Sequence, residues 1–230
     1  MQPETPMMAQ GRSTSIALAQ NRVLRNTYLL LALTMVPTVA GAFLGMATAA
    51  FAMAHWMAIT FAVFFGVIAL QFAIVANRNN AAGIALLLLM TGILGWYLGP
   101  ILNLALAMKN GGFLVAYAAA GTGVILFGMG TIAATTKRDF GFLGKFLYVG
   151  MWALVLAMAA NLFFQIPAVA LALSTLVIVV FSLFLLFDLQ RIMKGGETNY
   201  ILATTAVYMS LFNIFANLLN ILMALTGNRN

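Results

Sequence analysis

The chain has 230 residues, 64% of them hydrophobic and 7% charged, with a mean hydropathy of +1.05. A soluble domain carries about 25% charged residues, so this chain cannot cover its surface with polar groups and takes lipid as solvent for much of it. It has no cysteine and one histidine, His55. That excludes disulfides, thiol nucleophiles and His/Cys metal clusters, and the net charge of +7 suits loops that orient a membrane protein better than a nucleic-acid surface.

Residues 1–26 are polar and carry Pro3, Glu4, Pro6, Arg12, Arg22 and Arg25. They predict a flexible cytosolic N-terminal tail, with residues 27–230 forming one seven-helix transmembrane domain. Runs of about 20 apolar residues predict spans near 28–50, 55–76, 82–107, 112–135, 144–165, 168–189 and 199–225. The first is longer than the apolar region of a signal peptide and more spans follow it, so it reads as an uncleaved anchor. NRNN (77–80), TTKRDFGFLG (135–144) and QRIMKGGETN (190–199) are charged connections, while AHW (54–56) and QIPA (165–168) carry no charge. With the N-terminus inside, nine of the 11 basic residues fall on the inner side and only Lys109 and Arg229 on the outer. The positive-inside rule therefore predicts a cytoplasmic N-terminus and, for seven spans, an external C-terminus.

Small residues predict close helix contacts. GAFLG at 41–45 has the GxxxG spacing, Gly92, Gly95 and Gly99 share a face of the third span, and Gly121 and Gly128 share one of the fourth. Pro100 removes a backbone donor and frees the Trp96 carbonyl, so Gly99 and Pro100 mark either a hinge or a static bend. Asp139 suits the N-cap of the fifth span. His55 opens the second span at the outer side as a lone interfacial residue.

The last span carries Ala203, Ala206, Ser210, Asn213, Asn217, Asn220 and Ala224 at alternating spacings of 3 and 4, which is one helix face. Amides facing lipid are costly, so this seam is expected to face protein and the span to be central. The asparagines either bond to neighbouring helices or line a hydrated path.

Asp188, one of only four acidic residues, ends the sixth apolar run. An acid at the centre of a span costs roughly 2.5–3.5 kcal/mol on insertion scales. The run from 168 to 187 already covers about 30 Å, which puts Asp188 near the inner edge. It is expected either to pair with Arg191 at i+3 or to face inward at the cytosolic mouth and respond to cations or protons. No HExxH, no Asp pair and no Ser–His constellation supports an enzyme. The last span has no lysine, which excludes a retinal-type receptor.

FDLQRI (187–192) resembles the (Y/F)D(T/L)Q segment of the Bax inhibitor-1 family of seven-span membrane proteins. RVLRNTYLLLALT, LGWYLGPILN, TTKRDFGFLG and GGETNYILATTAVYMSLFNIFANLLNIL agree with that family, and GGETNY with YMSLFNIF points to its bacterial, YccA-like branch. The resemblance implies a helical bundle with six helices around a central seventh, in the bacterial inner membrane, with no cofactor. For several members it implies a pH-sensitive calcium leak closed by two aspartates, one in span six and one in span seven, that share a proton-sensitive hydrogen bond. Asp188 matches the first, but the second falls on Ser210, a hydroxyl that carries no charge. For the bacterial branch it implies an association with the membrane protease FtsH, for which residues 1–26 would offer a segment to grip. Two functions are therefore expected from the family, a protease modulator and, as the alternative, a Ca²⁺ leak.

Overall fold

The computed structural model describes residues 6–138 and 140–227, with side chains from residue 20 onward. The described residues form eight helices, α1 (Pro6–Ala47), α2 (Ala49–Ala54), α3 (Trp56–Ala76), α4 (Ala81–Ala107), α5 (Gly111–Thr135), α6 (Gly141–Phe164), α7 (Pro167–Met193) and α8 (Tyr200–Gly227), and no strand. Seven are long and apolar enough to cross a membrane, with the first such stretch at Gln20–Ala47 and α2 too short to count. A chain that must satisfy its backbone without water has this solution, since each helix closes its own hydrogen bonds. Large apolar side chains such as Phe72, Phe127 and Phe164 stay about three-quarters exposed, which a bilayer turns into lipid contact.

The first helix differs from the expected start at residue 28. It begins at Pro6, because the intervening Ala, Leu, Gln and Arg residues are good helix formers. Val23 and Leu24 already pack on the core, and Thr27 is buried. The seventh helix also runs past its expected end at 189, to Met193. It stops where Gly195 adopts the left-handed conformation with φ of 76°. The Gly196 N–H then reaches back to the Arg191 carbonyl at 2.8 Å and the Gly195 N–H to that of Ile192 at 3.2 Å. This pair of bonds is a Schellman stop, for which glycine is the usual residue.

The closest packing joins α1 to α4. A methyl group at Gly41 would collide with the Gly92 carbonyl, at Gly45 with the carbonyl of Trp96, at Gly95 with backbone of Thr38, and at Gly99 with backbone of Gly45 and Met46. The spacing in GAFLG and in Gly92/Gly95/Gly99 thus sets two backbones together. Gly128 has nothing near enough to meet a side chain, and Gly121 faces only the end of Leu218, so these two glycines of α5 do not make a second such seam.

The main core is built from α3, α4, α7 and α8 with parts of α1 and α5, around Ile74, Leu87, Met90, Leu185, Leu189, Val207 and Tyr208. Among the described residues α8 touches α1, α3, α4, α5 and α7, whereas α6 touches α7 alone. Only Leu147 and Leu154 of α6 are buried.

Candidate functional site

The turn between α7 and α8 organises one end of the bundle. The Asn199 side-chain oxygen accepts from the Ile201 and Leu202 N–H groups at 3.0 and 3.2 Å, which caps α8. Its amide nitrogen donates to the Arg78 carbonyl at 2.8 Å and to Asn79 Oδ1 at 3.0 Å, tying the α3–α4 connection to the turn. Gln190 is buried and does the same for the α5–α6 connection. Its Nε2 donates to the Arg138 carbonyl at 2.8 Å and its Oε1 accepts from the Phe140 N–H at 2.9 Å. Lys194 Nζ adds a bond to the same Arg138 carbonyl at 2.9 Å. The N-cap expected at Asp139 lies outside the described residues.

The same turn carries Glu197, whose Oε2 lies 2.9 Å from Arg191 Nη2. Arg191 therefore pairs with Glu197 and not with Asp188. The reason is local: the Schellman stop folds residues 195–197 back over Arg191, and Arg191 Nε also donates to the Gly196 carbonyl at 3.3 Å. Asp188 has no hydrogen bond or ion pair with the described residues. It lies five residues before the end of α7, about one and a half turns inside the helix, so it sits deeper than a span ending at 189 would place it.

Asp188 opens instead onto a cavity of about 400 Å³ between α3, α6, α7 and α8. On α7 its wall is Phe181, Phe184, Asp188, Arg191 and Ile192, spaced as one helix face. On α8 the wall runs from Leu202 to Ser210, on α3 it is Gln71, Ile74 and Val75, and Met151 closes the α6 side. Asp188, Arg191 and Ser210, matched or paired by sequence, thus share one cavity. Ser210 lies ten residues into α8, about 15 Å along it, and the cavity extends that far. Gln71 and Glu197 are not expected in this wall from the sequence: Gln71 belongs to no motif, and Glu197, although it lies in the GGETNY segment, reaches the cavity only through the turn after α7.

The rest of the seam behaves differently. Asn213 Nδ2 donates to the Met209 carbonyl at 2.8 Å and Asn217 Nδ2 to that of Asn213 at 2.9 Å. Each amide donor is thus used on its own helix, four residues back, and not on a neighbouring helix. Asn217 is buried, Asn213 half-buried and Asn220 exposed, so the seam is covered near Ser210 and open at its far end. Gly99 and Pro100 lie within an unbroken α4, with Gly99 against α1. The carbonyl that Pro100 frees, on Trp96, faces Gly45, and the Trp96 indole donates to Thr48 Oγ1 at 2.9 Å. His55 is exposed between α2 and α3, its Nδ1 3.2 Å from the Phe51 carbonyl. Among the described residues no three His, Cys, Asp or Glu gather as metal ligands do.

Seven helices long and apolar enough to span a membrane, with a cavity at one end that has Asp188 in its wall, define a polytopic helical membrane protein. Residues 20–228 match the family described as inhibitor of apoptosis-promoting Bax1, and the chain belongs to this Bax inhibitor-1 family. It is 39% identical over 216 residues to the Modulator of FtsH protease YccA of Escherichia coli K12, covering 94% of this chain and 96% of that one. It is 36% identical over 225 residues to an uncharacterized membrane protein of Vibrio cholerae, covering 97% and 99%. An uncharacterized protein of Pseudomonas aeruginosa is 38% identical over 220 residues, covering 94% and 96%.

Proposed function

We propose that this chain is a regulatory protein of the bacterial inner membrane that modulates an FtsH-type protease and is not itself an enzyme. The observation that carries this reading is the 39% identity, over 94% of the chain, to a protein named for that role. A relative with the same identity is named an inner membrane protein. The nine-to-two distribution of basic residues supports a cytoplasmic N-terminus and a periplasmic C-terminus. The contacts of α8 with five of the other spans support its place at the centre of the bundle. The family match begins at residue 20, so the segment we assign to the protease is residues 1–19. An ATP-driven protease needs such an end to grip.

The test uses purified FtsH-type protease and the full chain in proteoliposomes, with cleavage of a soluble reporter as the readout. The full chain slows cleavage, and a chain lacking residues 1–19 does not, although it elutes as folded protein. Cleavage indifferent to the full chain refutes the modulator reading. Equal restraint by the truncated chain refutes the role of the segment.

The cavity favours a second reading, a pH-sensitive cation leak in which Asp188 and Ser210 face one water-accessible space. Calcium flux in proteoliposomes then falls on Asp188→Asn and gains pH sensitivity on Ser210→Asp. Flux no greater than in empty liposomes refutes it.

A further inference from the structure

Three side chains in the wall of the α3/α6/α7/α8 cavity have unspent hydrogen-bonding capacity. Gln71 comes from α3, Asp188 from α7 and Ser210 from α8, and none of the three side chains makes a hydrogen bond to a described residue. Elsewhere in the bundle the hydroxyls of Thr27, Thr34, Thr38, Ser182, Thr204 and Thr205 all donate to carbonyls of their own helices. Ser210 on the same α8 face does not, so its hydroxyl is left for whatever fills the cavity. No side-chain nitrogen or oxygen among the described residues is both buried and without a partner, so these three groups are open to the cavity, and their convergence on one space from three helices marks a site for a polar occupant.

The chemistry of that occupant follows from the wall. Arg191 forms its ion pair with Glu197 at the turn, and Asp188 is the acid of the wall that has no ion-pair partner among the described residues. The match is a cation that donates hydrogen bonds. A primary ammonium has three N–H donors and no acceptor, and the site has three unspent oxygen acceptors, on Asp188, Gln71 and Ser210. Calcium takes six to eight oxygen ligands, more than these three side chains supply. The remainder of the wall is apolar, with Ile74, Val75, Phe181, Phe184 and Met209. It is open on one side, because α3 and α6 form its two flanks and make no contact with each other among the described residues. Ligand pockets of roughly 300–1,000 Å³ include this one at about 400 Å³. An apolar body that enters from the bilayer between two helices, with an ammonium at its head, is an amine-headed lipid.

We propose that this cavity binds a phospholipid with a primary-ammonium headgroup, entering between α3 and α6 and held by Asp188, Gln71 and Ser210. This rests on neither reading above, and its test contains no protease and no ion gradient. The full chain in detergent is titrated with phosphatidylethanolamine or phosphatidylcholine of identical acyl chains, and bound lipid is counted by native mass spectrometry. The two lipids share charge, phosphate and tails, but the trimethylated headgroup has no N–H donor. Phosphatidylethanolamine binds at least tenfold tighter, and Asp188→Asn abolishes that preference. Gln71→Leu and Ser210→Ala each reduce it severalfold and leave phosphatidylcholine binding unchanged. Equal binding of the two lipids by the wild-type chain overturns the proposal, as does a preference that survives Asp188→Asn. If that variant does not fold, a preference unaltered in both of the others overturns it. Displacement of the lipid by soluble phosphoethanolamine at equal concentration overturns the lipid as the source of the amine.

Discussion

Gly99→Ala adds one methyl group where α4 meets α1. The new Cβ would overlap the backbone of Gly45 and Met46, and no rotamer change can relieve a clash with backbone, so the two helices must separate. Overpacking costs roughly 1–3 kcal/mol, and an obstacle made of backbone puts this site at the upper end. Against it stands the roughly 1 kcal/mol by which alanine exceeds glycine in a helix interior. The net loss is about 2 kcal/mol. For a chain of this size each kcal/mol moves the melting temperature by roughly 2–4 °C, so the expected fall is roughly 4–8 °C. Gly128→Ala is the control, because it adds the same methyl group to α5 with nothing within 4 Å. It is expected to match wild type or exceed it slightly. Thermal unfolding of the detergent-solubilised chain, followed by loss of the monodisperse elution peak, measures both. Because Gly45 and Gly99 share one contact, the double alanine variant should lose less than the two single losses added. Equal melting temperatures for Gly99→Ala and Gly128→Ala refute the close packing of α1 on α4.

Two further variants probe the polar anchors. Asn199→Ala removes the cap of α8 and the tie to residues 78 and 79, a loss of about 2 kcal/mol from a cap and a tie of about 1 each; hydrogen exchange should rise at 77–80 and 200–202 and stay unchanged in α6. Tyr208→Phe removes a buried hydroxyl that lies 2.9 Å from Thr38 Oγ1 and 3.4 Å from the Thr91 carbonyl. Thr38 keeps its bond to the Thr34 carbonyl, so the cost is that of one net hydrogen bond, about 1 kcal/mol, read by the same unfolding assay.

The sequence made the seven spans legible because lipid leaves a chain so few options. Apolar runs of sufficient length become helices, and the glycine spacings in 41–45 and 92–99 become a contact because only glycine lets two backbones approach. The periodicity of α8 also marked Ala203 and Ser210, both of which are buried. It failed for Asn220, since a face continuous along one helix says nothing about where its neighbours end. It failed again for the donors of Asn213 and Asn217, because a carbonyl four residues back is always in reach of an amide and needs no partner helix. Gln190 and Asn199 lie in the FDLQRI and GGETNY segments, but their role as anchors was not legible, for the opposite reason. Their partners lie in connections 50 and about 120 residues away, and no local pattern records such pairs.

Asp188 shows how a local misreading alters a functional one. Ending the helix at 189 puts the carboxylate at an edge beside Arg191, where the simplest expectation is an ion pair. The helix continues to Met193, and Gly195 turns the chain so that Glu197 reaches Arg191 first. One glycine in the left-handed conformation thus supplies the arginine with a different acid and leaves Asp188 to the cavity. The prediction that follows concerns Gly195 and not the acid. Gly195→Val meets both a φ of 76° that a β-branched residue resists and the Gln20 side chain packed against that glycine. It should loosen the turn and separate Glu197 from Arg191. Arg191 is then free to reach Asp188 one turn back on α7, and the carboxylate is lost to the cavity although neither charged residue has been changed. The variant should therefore show the lipid-binding defect of Asp188→Asn, and replacing Arg191 by Gln in the same chain should restore binding at least in part. A Gly195→Val chain that is folded and binds like wild type refutes the link between the turn and the cavity.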